Sequence, residues 1–214
     1  MTEPIAILGG TFDPVHIGHL RVAWEAAEAL GAQVRLMPAH VPPHRPPPVA
    51  CAAARVRMLK LALAGQNRLL LDTRELDRAD PSYTVDTLRD MRAEFGAARS
   101  LILLLGTDAF AGLPTWNRWQ ELFQLAHVAV LTRPGHAAPL PTELAGVVAS
   151  RRAHFAADLR AAPAGRVFDL AVTPLEVSAS VVRALLASGR DPRWLLPDAL
   201  LAKPAVLKVY RDEH

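Results

Sequence analysis

The 214-residue chain has one cysteine, Cys51, which excludes an internal disulfide framework and makes a cytoplasmic location the default expectation. It has no uncharged apolar run of about 18 residues or more, so no segment reads as a membrane span. The opening MTEPIAILGG lacks the basic stretch and small-residue cleavage site of a secretory signal, and its apolar residues are expected in a strand. A large charge excess is missing too: 24 basic and 21 acidic residues leave a net charge of +3 with histidine neutral. No Lys or Arg cluster marks one element, so neither polymeric nucleic acid nor a membrane is the expected partner, whereas a small phosphorylated substrate suits the mild positive balance. No fixed-period repeat is found. What is present is 51% hydrophobic and 21% charged residues, which suits one soluble α/β domain with a small C-terminal helical extension.

The apolar run Ile5 to Leu8 stops at Gly9-Gly10, and helical spacing then runs from Leu20 to Leu30 and ends at Gly31. Val34 to Met37 reads as the next strand. Pro42, Pro43, Pro46, Pro47 and Pro48 then stiffen a loop over 39–49, and a helix is expected over 50–64. Further strands are expected at Arg68 to Leu71, Leu101 to Leu105, His127 to Leu131 and Val167 to Val172, with a helix starting near Thr84. The continuous run at Leu101 predicts a central strand covered on both faces. Alternating strands and helices predict a parallel sheet, whose ligands sit beyond the carboxyl ends of the strands. SASVVRALLASG and short helical pieces broken by Pro192, Pro197 and Pro204 form the tail.

The segment Gly9-Gly10-Thr11-Phe12-Asp13-Pro14-Val15-His16-Ile17-Gly18-His19 is neither the GxGxxG fingerprint nor a phosphate loop ending in GK[ST], so a dehydrogenase or ordinary ATPase is not supported. Glycines after a strand permit close backbone approach or a positive φ, and the helix that follows offers unpaired N–H groups to a phosphate. His16 and His19, three residues apart, can face one ligand across the first helical turn. A metal reading has less support, because no Cys, Asp or Glu pattern nearby completes a zinc site. Asp13 reads first as a capping or loop-bracing residue, and Phe12 either packs beneath the loop or touches substrate.

A second constellation lies at Val177-Ser178-Ala179-Ser180-Val181-Val182-Arg183. Ser180 at a helix start can cap free N–H groups, and Arg183 lies three residues on, so hydroxyl, N–H and guanidinium can converge on one anion. A capped helix with a solvated arginine is the plainer alternative. No Ser-His-Asp or Cys-His arrangement calls for a covalent intermediate.

GGTFDPVHIGH resembles the HxGH signature of the nucleotidyltransferase superfamily that contains nicotinate mononucleotide, pantetheine-phosphate and cytidylyl transferases. VSASVVR resembles its ISxTxxR signature, with Val177 for Ile and Ser180 for Thr. Gly106-Thr107-Asp108 with Trp116, Pro42-Pro43-His44-Arg45, Pro81-Ser82-Tyr83-Thr84 and Thr132-Arg133-Pro134-Gly135 resemble further segments of the nicotinate mononucleotide branch, so the likeness spans nearly the whole chain.

The resemblance implies a Rossmann-like α/β fold with a mostly parallel sheet and helices on both faces. Residues 1–175 would form the core, and 176–214 a helical extension completing the ATP site. It implies adenylyl transfer from ATP to nicotinate mononucleotide, with Mg2+ accompanying ATP and no metal held by dedicated protein ligands. His16, His19 and Arg183 would be catalytic. Gly10, Thr11, Phe12, Gly106, Ser178 and Ser180 would join them in binding ATP. Gly9, Gly10, His44, Arg45, Tyr83, Thr84, Asp108, Trp116 and Arg133 would bind the acceptor. The alternatives are a nicotinamide mononucleotide or pantetheine-phosphate acceptor, or a nucleotide-binding regulator without turnover. A homo-oligomer is compatible with the sequence. Trp24, Trp119 and Trp194 are assigned to packing, and Cys51 reads as inert.

Overall fold

The computed structural model of the protein describes residues 2–40, 47–78, 82–132 and 139–211. Strand β1 (Ile5–Gly10) leads to helix α1 (Ile17–Leu30), β2 (Gln33–Pro38) to α2 (Ala52–Ala62), and β3 (Leu69–Leu71) to α3 (Thr84–Phe95). Strand β4 (Leu101–Gly106) is followed by α4 (Thr107–Ala111) and α5 (Leu122–Leu125), and β5 (His127–Thr132) by α6 (Thr142–Ala149) and α7 (Ala156–Arg160). After β6 (Val167–Ala171) come α8 (Ala179–Ala187), α9 (Asp198–Leu201) and a 3-10 turn over Pro204–Tyr210. All five strand pairings are parallel, in the order β3-β2-β1-β4-β5-β6. Among the described residues no helix is long and apolar enough to cross a membrane.

Side chains alternate across the sheet, so each central strand feeds two cores. Ile102 and Leu104 of β4 join Ala6 and Leu8 of β1 in one core, while Leu101, Leu103 and Leu105 join Ile5 and Ile7 in the other. This is the doubly covered strand that the unbroken apolar run predicted. Helices α1, α2 and α8 cover the first core together with Leu200, Leu207 and Tyr210 of the tail. The second core takes Val85, Leu88 and Met91 of α3, Phe110 of α4 and Leu144 of α6. Because the tail shares its core with α1, the starts of α8 and α1 come to one side of the sheet. The strand order reverses between β1 and β4, and in such sheets the ligand crevice opens at that point.

Two expectations need correction. Gly9 and Gly10 are not the loop but the last residues of β1, paired with Met37 and Pro38, and the left-handed residue is Phe12 with φ 51°. Parallel pairing to β2 carries the strand through both glycines and moves the sharp turn onward. Trp194 is not packed: it is 74% exposed with φ 68°. The Leu195 carbonyl accepts the Ile17 N–H and Leu196 is buried, so the turn that anchors the tail on α1 leaves the tryptophan outside. Trp119 is buried, and Trp24 packs against the first core as expected.

Ile102→Ala, at a fully buried position of β4, is expected to lower unfolding free energy by about 2–5 kcal/mol. Urea denaturation checks this, and half-exposed Val181→Ala should change it by less than about 0.5 kcal/mol.

Candidate active site

The turn after β1 is braced from several directions. Phe12 is buried and its ring lies against Gly10, where an added Cβ would come within 3.0 Å of it. Glycine at position 10 thus leaves room for the ring, which a side chain there would have to displace by a few tenths of an ångström. The Phe12 ring meets His19 edge-on, with centroids 4.9 Å apart. The buried Asp13 carboxylate accepts the N–H groups of Val49 (2.7 Å) and Ala50 (3.0 Å) and the Tyr210 hydroxyl (2.6 Å). Burial, then the Asp13 carboxylate, push the Tyr210 hydroxyl's pKa well up, so it stays a donor.

His16 stands at the N-cap of α1 in extended conformation. Its backbone N–H donates to Nδ1 of His19 at 3.3 Å, which leaves the His19 proton on Nε2 when the ring is neutral. The two rings stack with centroids 3.7 Å apart. Burial lowers His16 to about 4. Burial, and then the neighbouring His16, lower His19 to about 3. Both imidazoles are thus neutral N–H donors at pH 7 in the free protein, and the positive charges tied to this turn are the guanidiniums of Arg183 and Arg55. Gly18 is explained by the same pair: a Cβ there would lie 3.1 Å from the His16 ring and 3.7 Å from Cβ of Val177.

The second constellation meets the first. Arg183 Nη1 donates to the Asp13 carbonyl at 2.6 Å and Nη2 to the Ser180 hydroxyl at 3.3 Å. The cap, however, is Ser178 rather than Ser180: the Ser178 hydroxyl accepts the Val181 N–H at 3.2 Å. The helix begins at Ala179, two residues too early for Ser180 to be its cap. Ser180 is freed to meet Arg183 one turn away. Thr11 lies half-buried in the turn itself.

On the other side of the crevice, Gly106 ends β4 beside β1, and Asp108 is exposed in the first turn of α4. Side chains at Gly9 or Gly106 would meet no protein atom within 4 Å. Tyr83 is the N-cap of α3, with Thr84 as its first residue. Trp116 packs partly against the second core. Arg118 pairs with Asp86, and Arg89 links Asp86 to Glu121, so the start of α3 is tied to the chain that carries Trp116. His44, Arg45 and Arg133 lie outside the described residues.

The profile of the cytidylyltransferase-like family matches residues 7–185. A relative from Dechloromonas aromatica (strain RCB), named probable nicotinate-nucleotide adenylyltransferase, is 47% identical over 99% of this chain and 100% of its own. A protein of the same name from Pseudomonas putida (strain W619) is 50% identical over 97% and 94%. The chain belongs to the cytidylyltransferase-like family, among its nicotinate-nucleotide adenylyltransferases. The Plasmodium falciparum nicotinic acid mononucleotide adenylyltransferase complexed with NaAD shares the fold, with TM-score 0.69 over 96% of this chain and 98% of that one at 14% identity.

Within this family member, three bracing residues escaped the motif reading. Arg55 occupies a core-facing position with Met58 and Leu59 at i+3 and i+4, and a cation in an apolar stripe was the available signal. Tyr210 follows apolar Val206 and Leu207 at the chain's end and reads only as core. Glu75 sits below the start of α3: its carboxylate accepts the Thr87 hydroxyl (2.9 Å) and its carbonyl the Ser82 hydroxyl (3.1 Å). No spacing rule connects these positions.

Gly18→Ala is expected to push the His16 ring by a few tenths of an ångström and slow turnover by about 10-fold, less than the about 100-fold that a 1 Å misplacement can cost; steady-state kinetics with an unchanged far-UV CD spectrum checks it. The lowered imidazoles also predict acid sensitivity. As pH falls below the ordinary value of 6.5, the unfolded chain binds protons that His16 and His19 refuse until about 4 and 3, so stability drops across that window. His16→Gln should flatten the decline in urea midpoint between these pH values.

Proposed function

We propose that the chain transfers the adenylyl group of ATP to nicotinate mononucleotide, giving nicotinate adenine dinucleotide and pyrophosphate in NAD biosynthesis. The observation that carries this is the Arg183 hydrogen bond to the Asp13 carbonyl, which joins the start of α8 to the turn bearing His16 and His19. The names of its full-length relatives support the acceptor.

An acceptor phosphate oxygen attacks the α-phosphorus. The bond from that phosphorus to the bridging oxygen breaks, and pyrophosphate leaves with the electron pair. The acceptor is a phosphate monoester, already anionic at pH 7, so no strong base is required. The protein's task is alignment and charge stabilisation. In this reading the His16 and His19 N–H groups serve the α-phosphate, and Arg183 with Ser178 and Ser180 holds the β- and γ-phosphates. Residues 176–214 complete this ATP side. Thr11, Phe12 and Gly106 shape the nucleotide side. Gly9, Gly10, Asp108, Tyr83, Thr84 and Trp116 form the acceptor side, the tryptophan offering a flat wall for the pyridine ring. Donors at the start of α3 suit a nicotinate carboxylate better than a nicotinamide.

Mg2+ fits this site as part of the incoming nucleotide. Imidazole N–H, guanidinium and hydroxyl groups suit phosphate oxygens, and both oxygens of the Asp13 carboxylate already accept hydrogen bonds from the protein. Bound with the nucleotide, the ion would supply charge neutralisation, while His16, His19, Arg183 and Ser180 would remain the protein's own phosphate contacts.

His19→Ala should lower kcat by about 100-fold or more, the scale of losing a transition-state donor, with the fold retained; wild-type turnover in an acceptor-dependent pyrophosphate assay would refute its role. The same assay should give a higher kcat/KM for nicotinate than for nicotinamide mononucleotide or phosphopantetheine. Equal values would overturn the acceptor assignment, and absence of pyrophosphate release would favour a regulator.

A further inference from the structure

Arg55 on α2 is only 2% exposed and is the largest fully buried side chain among the described residues. A buried cation requires partners, and here they are main-chain oxygens. Nη1 donates to the carbonyls of Thr11 (2.8 Å) and Ala39 (2.9 Å), and Nη2 to that of His40 (3.3 Å). These acceptors lie just beyond the carboxyl ends of β1 and β2. The nearby Asp13 carboxylate favours the guanidinium charge that burial opposes.

The Thr11 carbonyl belongs to the peptide that enters Phe12, whose φ of 51° is a conformation that a bulky side chain rarely adopts. Such strain persists only where the surroundings over-determine it. Phe12 in turn meets His19 edge-on, and His19 stacks on His16. A continuous set of contacts therefore runs from the guanidinium through one peptide and one phenyl ring to the imidazole pair.

We propose that Arg55 is a positioning residue: it pins the Thr11–Phe12 peptide, holds Phe12 left-handed and thereby orients the His19 ring, while tying this turn to the chain leaving β2. Its kinetic consequence rests on the adenylyl-transfer reading; its geometric consequence does not. Lysine keeps the charge but not the planar fork that spans several carbonyls. A merely structural role would make Arg55→Lys resemble any equally destabilising core variant, for which Val148→Ala, buried on α6 in the second core, is the control.

The test compares full-length wild type, Arg55→Lys, Phe12→Leu and Val148→Ala. Imidazole 1H–15N spectra of the ligand-free proteins should show the His19 ring signals displaced in Arg55→Lys and Phe12→Leu but not in Val148→Ala. In the pyrophosphate assay, kcat of Arg55→Lys should fall about 10- to 100-fold, as for a catalytic group moved by a fraction of an ångström to 1 Å, with little change in KM for ATP. Wild-type His19 signals in Arg55→Lys, or a kcat no lower than that of Val148→Ala at matched Tm, would overturn the proposal. If Arg55→Lys does not fold, Phe12→Leu decides by the same two readouts. A wild-type protein without turnover would sink the adenylyl-transfer reading and leave the spectral comparison to judge Arg55.

Discussion

One hydrogen bond, from the Arg183 guanidinium to the Asp13 carbonyl, spans 170 residues of chain and makes a single site of two. Without it, α8 carries a capped helix start and a solvated arginine, and α1 carries a pair of stacked imidazoles. With it, a cation is tied to the turn that leads into two neutral N–H donors, at the switch point of the sheet. The bond is possible because the C-terminal helices bury Val182, Leu186, Leu200 and Leu207 in the same core as α1. Packing on that face brings the two helix starts together, and the packing in turn follows from the parallel sheet having two apolar faces to cover.

Around this junction the protein spends buried polar groups on backbone geometry. Asp13 holds Val49, Ala50 and Tyr210, and Arg55 holds three carbonyls. An unpaired buried charge would be strongly destabilising; here the Asp13 carboxylate and both terminal nitrogens of Arg55 find partners, and only the Arg55 Nε has none. The result is a turn rigid enough to keep Phe12 in a strained conformation and the imidazoles in contact. Preorganised donors of this kind stabilise developing charge without reorganising as it forms. Keeping both imidazoles neutral before the nucleotide arrives avoids two like charges 3.7 Å apart.

The start of α3, across the crevice, is built differently. Exposed pairs among Asp86, Arg89, Arg118 and Glu121 link the start of α3 to the Trp116 segment, and such pairs contribute little stability individually. Glu75 beneath them is half-buried, and burial raises its pKa. The turn after β1 is held by buried, over-determined contacts, and the start of α3 by a looser surface network.

The sequence alone determined the elements and the chemistry available to them. Apolar periodicity set the six strands and helices α1, α2, α3 and α8 but not α4 to α7, the unbroken run at Leu101 announced the doubly covered strand, and the spacing of His16 and His19 put both rings on one helical turn. Local rules reach that far because they depend on neighbours within about a turn or a strand. They could not tell Ser178 from Ser180 as the cap, since both are serines near one helix start and only the backbone angles decide. They placed the turn at Gly9-Gly10, because the pairing that extends β1 comes from β2. They also assigned Trp194 to packing, because its burial depends on which side of an anchored turn it leaves. Tertiary structure alone decided the union of Arg183 with Asp13 and the burial of Arg55 and Tyr210, for the partners in these contacts are distant in sequence and no period in the sequence relates them.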